Sequence, residues 1–138
     1  MATVRLLDDA ELSPEAAAVF ADIRATRGTD YVNHFWRALA HDPALLARTW
    51  ASIKQVMAPG HLDPKVKEML YLAVSIAHGC EYCIHSHTAA ARAKGMTAAQ
   101  HADLLAVVGL AAKTNHLVTA LQVPVDPAFD CEARAAAS

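Results

Sequence analysis

Apolar positions in this chain come in blocks separated by short polar punctuation, and no segment sustains the apolar–polar alternation of a half-buried strand. The punctuation is that of helices. Ser13-Pro14, Asp42-Pro43 and Asp63-Pro64 each set a capping side chain before a proline at the first helical position. Thr97-Ala98-Ala99-Gln100 reads as a capping box. Gly28, Gly79 and Gly95 stand where helices stop. Together these signals predict helices over residues 13–26, 31–41, 43–58, 64–78, 80–94 and 98–121. The expected fold is all-α, a single-domain bundle of about six helices over 1–138, with no linker and no internal repeat.

The fourth predicted helix differs from the others. Its run from Glu68 to Ala77, EMLYLAVSIA, is apolar on nearly every face. Such a helix is buried, in the core or partly at a subunit interface. Glu68 is the carboxylate at its mouth, either an exposed first-turn acid favoured by the helix dipole or part of a site. Tyr31, Phe35 and Trp36 line a substrate pocket on one reading and are plain core on the other, which is the one expected.

Composition supports the helical reading. The 138 residues are 54% hydrophobic but only 6% aromatic, and alanine, the strongest helix former, fills much of the difference. The formal charge of -2 and the scattered lysines and arginines leave no basic stripe for nucleic acid. No unbroken run approaches the roughly 20 apolar residues of a bilayer span, so no membrane partner is expected. The start, MATVRLLDDAELS, has acids where a signal peptide is apolar. A cytoplasmic protein is the expectation.

Three cysteines are an odd number, which argues against a disulfide framework. Cys131, in the polar stretch DCEARAAAS, is expected to do nothing specific. Cys80 and Cys83 are three apart, and in a reducing compartment such a pair is catalytic, redox-active or metal-binding more often than structural.

The pair lies in HGCEYCIHSHTAAARAKG, residues 78–95. Positions three and four apart share a helix face, so Cys80, Cys83 and His87 form one stripe. His85 lies about 200° from Cys83 and points elsewhere, as an ordinary half-buried or surface histidine. Folding back at Gly79 would set Glu68 about 16 Å and His87 about 12 Å from the turn, on similar levels of an antiparallel hairpin.

A thiol reacts as its thiolate, and a free Cys is only about 3% ionised at neutral pH. The helix N-terminus helps by less than about one pKa unit. His87 is placed to take the Cys83 proton, and a carboxylate behind the imidazole would fix its tautomer. Attack by Cys83 on a peroxide O–O bond gives a sulfenic acid, which Cys80 converts to a disulfide for an external reductant to reopen. The spacing leaves two other readings open. Zinc would take Cys80, Cys83 and His87 but lacks a clear fourth ligand unless the Gly79 turn folds His78 back. On the other reading the cluster is chemically inert.

The segment Glu68 to His87, E-x11-C-E-Y-C-x3-H, resembles the active-site motif of the alkyl hydroperoxidase D-like proteins in the carboxymuconolactone decarboxylase superfamily. AKGMTAAQ is similar to that family's turn into its next helix. FWRALAHDPALLARTWASIKQVMAPGHLDPKVKE and NHLVTALQVPVDPAF resemble its peroxidase-related branch, so the likeness covers roughly 30–130, with the motif core at about 60–122. The resemblance implies an all-α fold and a thiol-dependent peroxidase of hydrogen peroxide or organic hydroperoxides. In it Cys83 is the attacking thiol, Cys80 the resolving thiol, and His87 and Glu68 the proton relay. It further implies a homo-oligomer, trimer or hexamer, with no metal, haem or flavin, and an external thiol reductant or peroxiredoxin-type partner. Well-known members carry a histidine immediately before the second Cys. Tyr82 stands there, a phenol and poor base with at most an auxiliary role. The alternatives are a dithiol carrier that reduces a peroxiredoxin, and a non-redox carboxymuconolactone decarboxylase-like enzyme.

Overall fold

The computed structural model of the chain describes residues 2–129; Met1 and 130–138, and with them Cys131, lie outside the described residues. The described residues form six α-helices and two short 3-10 turns, Asp9–Glu11 and Pro127–Phe129, with no strand. The helices are α1 (Pro14–Arg27), α2 (His34–Leu39), α3 (Pro43–Met57), α4 (Pro64–Ala77), α5 (Glu81–Ala93) and α6 (Ala98–Leu121). They divide between two compact units, one up to Gly60 and one from His61 onward.

The capping chemistry is as the sequence predicts. Ser13, Asp42 and Asp63 each accept a backbone N–H of the first turn that follows. Thr97 and Gln100 cap each other reciprocally at 3.0 and 3.1 Å. In the first unit α1, α2 and α3 enclose Phe20, Ile23, Val32 and Leu46, all fully buried. Trp36 meets Trp50 edge-on at 5.5 Å, and the Arg27 guanidinium lies over both rings. The aromatic trio of the sequence is therefore split: Trp36 is core, while Tyr31 and Phe35 are exposed. α2 starts three residues later than predicted because Val32 enters the core from extended chain. Arg24 and Arg37 hold that chain by donating to the carbonyls of Asp30 and Val32.

In the second unit α4 packs against α5 and α6 around Leu72, Ala91, Met96 and Leu104. The composition of α4 predicts burial in the core or partly at a subunit interface; within this chain Glu68, Leu72 and Ser75 are buried, whereas Leu70 and Val74 are more than half exposed. α6 departs further. Only Leu104 is buried along it, and Val107, Leu110, Leu117, Val118 and Leu121 face outward. By length and composition it would suffice to cross a membrane. The sequence showed no such span because Asp103 and Lys113 interrupt its apolar runs.

Leu72 is fully buried at the centre of the second cluster. Leu72→Ala is expected to destabilise the protein by about 2–5 kcal/mol, read as a lower midpoint in urea unfolding.

Candidate active site

The site is built where α4 turns into α5. Gly79, at φ +66°, occupies the left-handed conformation that glycine adopts without strain. Its N–H bonds to Ile76 O at 3.1 Å, and the Cys80 N–H bonds to Ser75 O at 3.0 Å. This is the paired bonding of a Schellman stop. It brings the chain straight from the end of α4 to the N-cap of α5, and that N-cap is Cys80.

Cys80 caps through its sulfur, which accepts the Cys83 N–H at 3.3 Å. Both thiols are free and half-buried. The Cys83 thiol is pushed up to about 11 by burial, by its hydrogen bond to Cys80 and by the negative charge Cys80 carries as a thiolate. A thiolate at Cys80 therefore opposes a second negative charge at Cys83. In that state the Cys83 thiolate fraction at neutral pH is on the order of one in ten thousand, and deprotonation needs a base.

His87 lies one turn beyond Cys83 on α5, with its Nδ1 2.8 Å from Glu68 Oε2 on α4. Burial pulls the Glu68 carboxyl up, but hydrogen bonds from His87 and Lys94, together with their charge, outweigh it and hold the pKa below the ordinary 4.5. An ionised carboxylate can only accept, so Nδ1 carries the proton, and the lone pair of the neutral ring is then on Nε2. No hydrogen bond joins His87 to Cys83, so a proton passing between them needs a bridging water or a shift of the ring.

Two side chains that the sequence reading missed complete the cluster. Lys94 Nζ donates to Glu68 Oε1 at 2.9 Å. Tyr71 stacks on the His87 ring with centroids 3.7 Å apart and planes 18° from parallel. Its hydroxyl is raised above the ordinary phenol value by burial and by negative charge on Cys83, Cys80 and Glu68. The signal was helical spacing: Tyr71 is three beyond Glu68, and Lys94 seven beyond His87.

The other named residues lie apart. Tyr82 is 45% exposed. His85 lines a separate cavity of about 530 Å³ with Ile76, Ile84, Thr88, Arg92 and His101, as its angle from Cys83 predicts. His78 is an exposed residue ending α4. Among the described residues no group of three or more His, Cys, Asp or Glu side chains is placed to hold a metal ion.

A helical hairpin carrying a dithiol, an imidazole and a buried carboxylate defines a class of thiol site, and comparison with known proteins gives its lineage. Residues 43–126 match the carboxymuconolactone decarboxylase family. The chain is 31% identical over 100 residues to an alkyl hydroperoxide reductase AhpD of Solibacter usitatus (strain Ellin6076), a match covering 72% of this chain and 55% of that protein. It therefore spans little more than half the length of that relative. Against the crystal structure of an alkylhydroperoxidase AhpD core from Rhodospirillum rubrum the TM-score is 0.90 at 70% identity, covering 94% of this chain and 97% of that one. The chain belongs to the carboxymuconolactone decarboxylase family, in its AhpD-like branch.

Because the folded pKa of Glu68 is lowered, the stability its ionisation contributes is present above about 4.5 and is lost as pH falls through the lowered value. The difference in Tm between the parent and Glu68→Gln is expected to be largest near neutral pH and to shrink in acid. A difference that grows as the pH falls would contradict the pairing.

Proposed function

We propose that this protein is a thiol-dependent peroxidase that reduces hydrogen peroxide or organic hydroperoxides through a Cys80–Cys83 dithiol–disulfide cycle, in antioxidant defence. The observation that carries the reading is the 2.8 Å hydrogen bond between His87 and Glu68, one helical turn from a free dithiol. The AhpD naming of its relatives supports the same chemistry.

In this reading Cys83 loses its proton to Nε2 of His87, directly or through a water, and the thiolate attacks the nearer oxygen of the O–O bond. That bond breaks, Cys83 becomes a sulfenic acid, and the departing alkoxide or hydroxide takes the proton from His87. The Cys80 thiol then gives up its proton as its sulfur displaces hydroxide from Cys83, so the disulfide forms and the proton and hydroxide leave as water. An external dithiol reduces the disulfide and is itself oxidised. Glu68 holds the imidazole in the tautomer that keeps Nε2 basic. Tyr82, exposed beside the second thiol, offers a hydrogen bond to the incoming peroxide rather than a base. No metal, haem or flavin takes part.

One observation favours a second reading. A Cys83 thiol pushed up to about 11 attacks peroxide slowly unless the relay acts. A dithiol carrier that re-reduces a peroxiredoxin-type partner would make less demand on it. Both readings need the pair reduced, which suits the cytoplasm. The outward apolar residues of α6 and the open face of α4 fit a homo-oligomer, trimer or hexamer, in which copies cover them.

Purified protein is expected to consume hydroperoxide with a dithiol reductant, and Cys83→Ser to reduce the rate at least about a hundredfold. Activity surviving that substitution would overturn the peroxidase reading. Rapid exchange with an oxidised partner, alongside slow peroxide consumption, would favour the carrier. Light scattering of the same preparation is expected to give the mass of three or six chains.

A further inference from the structure

The sequence AKGM, which follows α5 as a turn, also delivers a charge to the site. Gly95, at φ +89°, donates its N–H to Arg92 O at 2.9 Å, and Met96 donates to Ala91 O at 2.9 Å. Met96 and Ala91 are both buried with Leu72 and Leu104, so the turn is pinned to the core. Lys94 is the residue held between the helix and this stop. From there its side chain reaches back to α4 and engages Glu68 Oε1, while His87 engages Oε2.

A single carboxylate, 6% exposed, therefore faces both a permanent cation and an imidazole. With His87 neutral, the charges of Glu68 and Lys94 cancel. With His87 protonated in the resting state, two positive charges would face one negative charge at a poorly solvated point, which is unfavourable. Protonation becomes favourable when Cys83 supplies the second negative charge by giving up its proton. Without Lys94 the balance shifts: the Glu68 carboxylate alone favours imidazolium, and the base is more readily protonated before the thiol needs it.

We propose that Lys94 is a positioning residue for the thiol relay: by holding one oxygen of Glu68 it keeps His87 unprotonated, ready to accept the Cys83 proton. The proposal rests on the assignment of His87 as base in the peroxidase reading. The groups that touch His87 are Glu68 and Tyr71 from α4; Cys80 and Cys83 stand at the start of its own helix, and Lys94, just beyond that helix's end, shares its carboxylate. Tyr71 remains a neutral phenol at physiological pH, its hydroxyl being shifted upward. The thiols reward protonation of His87 only once one of them is ionised. Lys94 is thus the positive charge opposing the proton. Its side chain is 39% exposed, so solvent screens part of the effect.

The test follows the His87 imidazole by NMR through a pH titration of the parent, Lys94→Met and Lys94→Arg, with the resonance assigned by its loss in His87→Gln. Lys94→Met is expected to take up its imidazole proton at higher pH by roughly half a unit or more, about threefold in the proton equilibrium. Lys94→Arg is expected to stay close to the parent. The acid limb of peroxide-driven disulfide formation is expected to move in the same direction. A titration unmoved in Lys94→Met, or moved equally in Lys94→Arg, overturns the proposal. If Lys94→Met does not fold, Lys94→Gln replaces it, keeping a donor without the charge, and the same shift is expected. A moved titration in a protein that consumes no peroxide would support the role of Lys94 while overturning the peroxidase reading.

Discussion

The second unit depends on a carboxylate that is removed from water and must be compensated. Leaving a buried carboxylate unpaired costs several kcal/mol, and Glu68, at 6% exposure, is compensated by His87 and Lys94. Its two partners come from the middle of α5 and from just past its end. Satisfying Glu68 therefore fixes the rotation of α5 about its axis and its slide along α4 at the same time. The interaction that aligns the hairpin is the one that orients His87.

The dithiol follows from the same hairpin by a different route. The Gly79 stop places Cys80 at the start of α5, where a sulfur replaces the usual capping oxygen and accepts the Cys83 N–H. The two sulfurs are thereby unequal before any chemistry begins. Burial, the hydrogen bond to Cys80 and any charge on that sulfur all hold the proton on Cys83. In the proposed relay the imidazole one turn further along is the base that this thiol requires.

Much of this was legible in the sequence because helix punctuation is local chemistry. Ser13, Asp42, Asp63 and Thr97 act within their own first turn, and each caps as its spacing predicts. The Glu68–His87 pairing was legible because Gly79 marks a reversal and helical rise gives the register. Lys94 was not, because a lysine beside a C-terminal glycine is an ordinary solvated residue until a carboxylate on another helix faces it. Tyr71 was hidden inside an apolar run, where an aromatic ring ordinarily reads as core. The start of α2 was missed because burial of Val32 from extended chain is decided by tertiary packing, which overrides local preference.

Both ends of α5 are set by a glycine in the left-handed conformation, Gly79 before it and Gly95 after it. The segment between them behaves as a ruler of fixed length, carrying a thiol at one end and an ammonium at the other. Substitutions along its outer face leave that length unchanged. Inserting or deleting one residue turns everything beyond it by about 100° and moves it by about 1.5 Å. The helix would survive such a change, but Glu68 would then face a different side chain. The residue count of this segment is therefore as much a part of the site as the cysteines are.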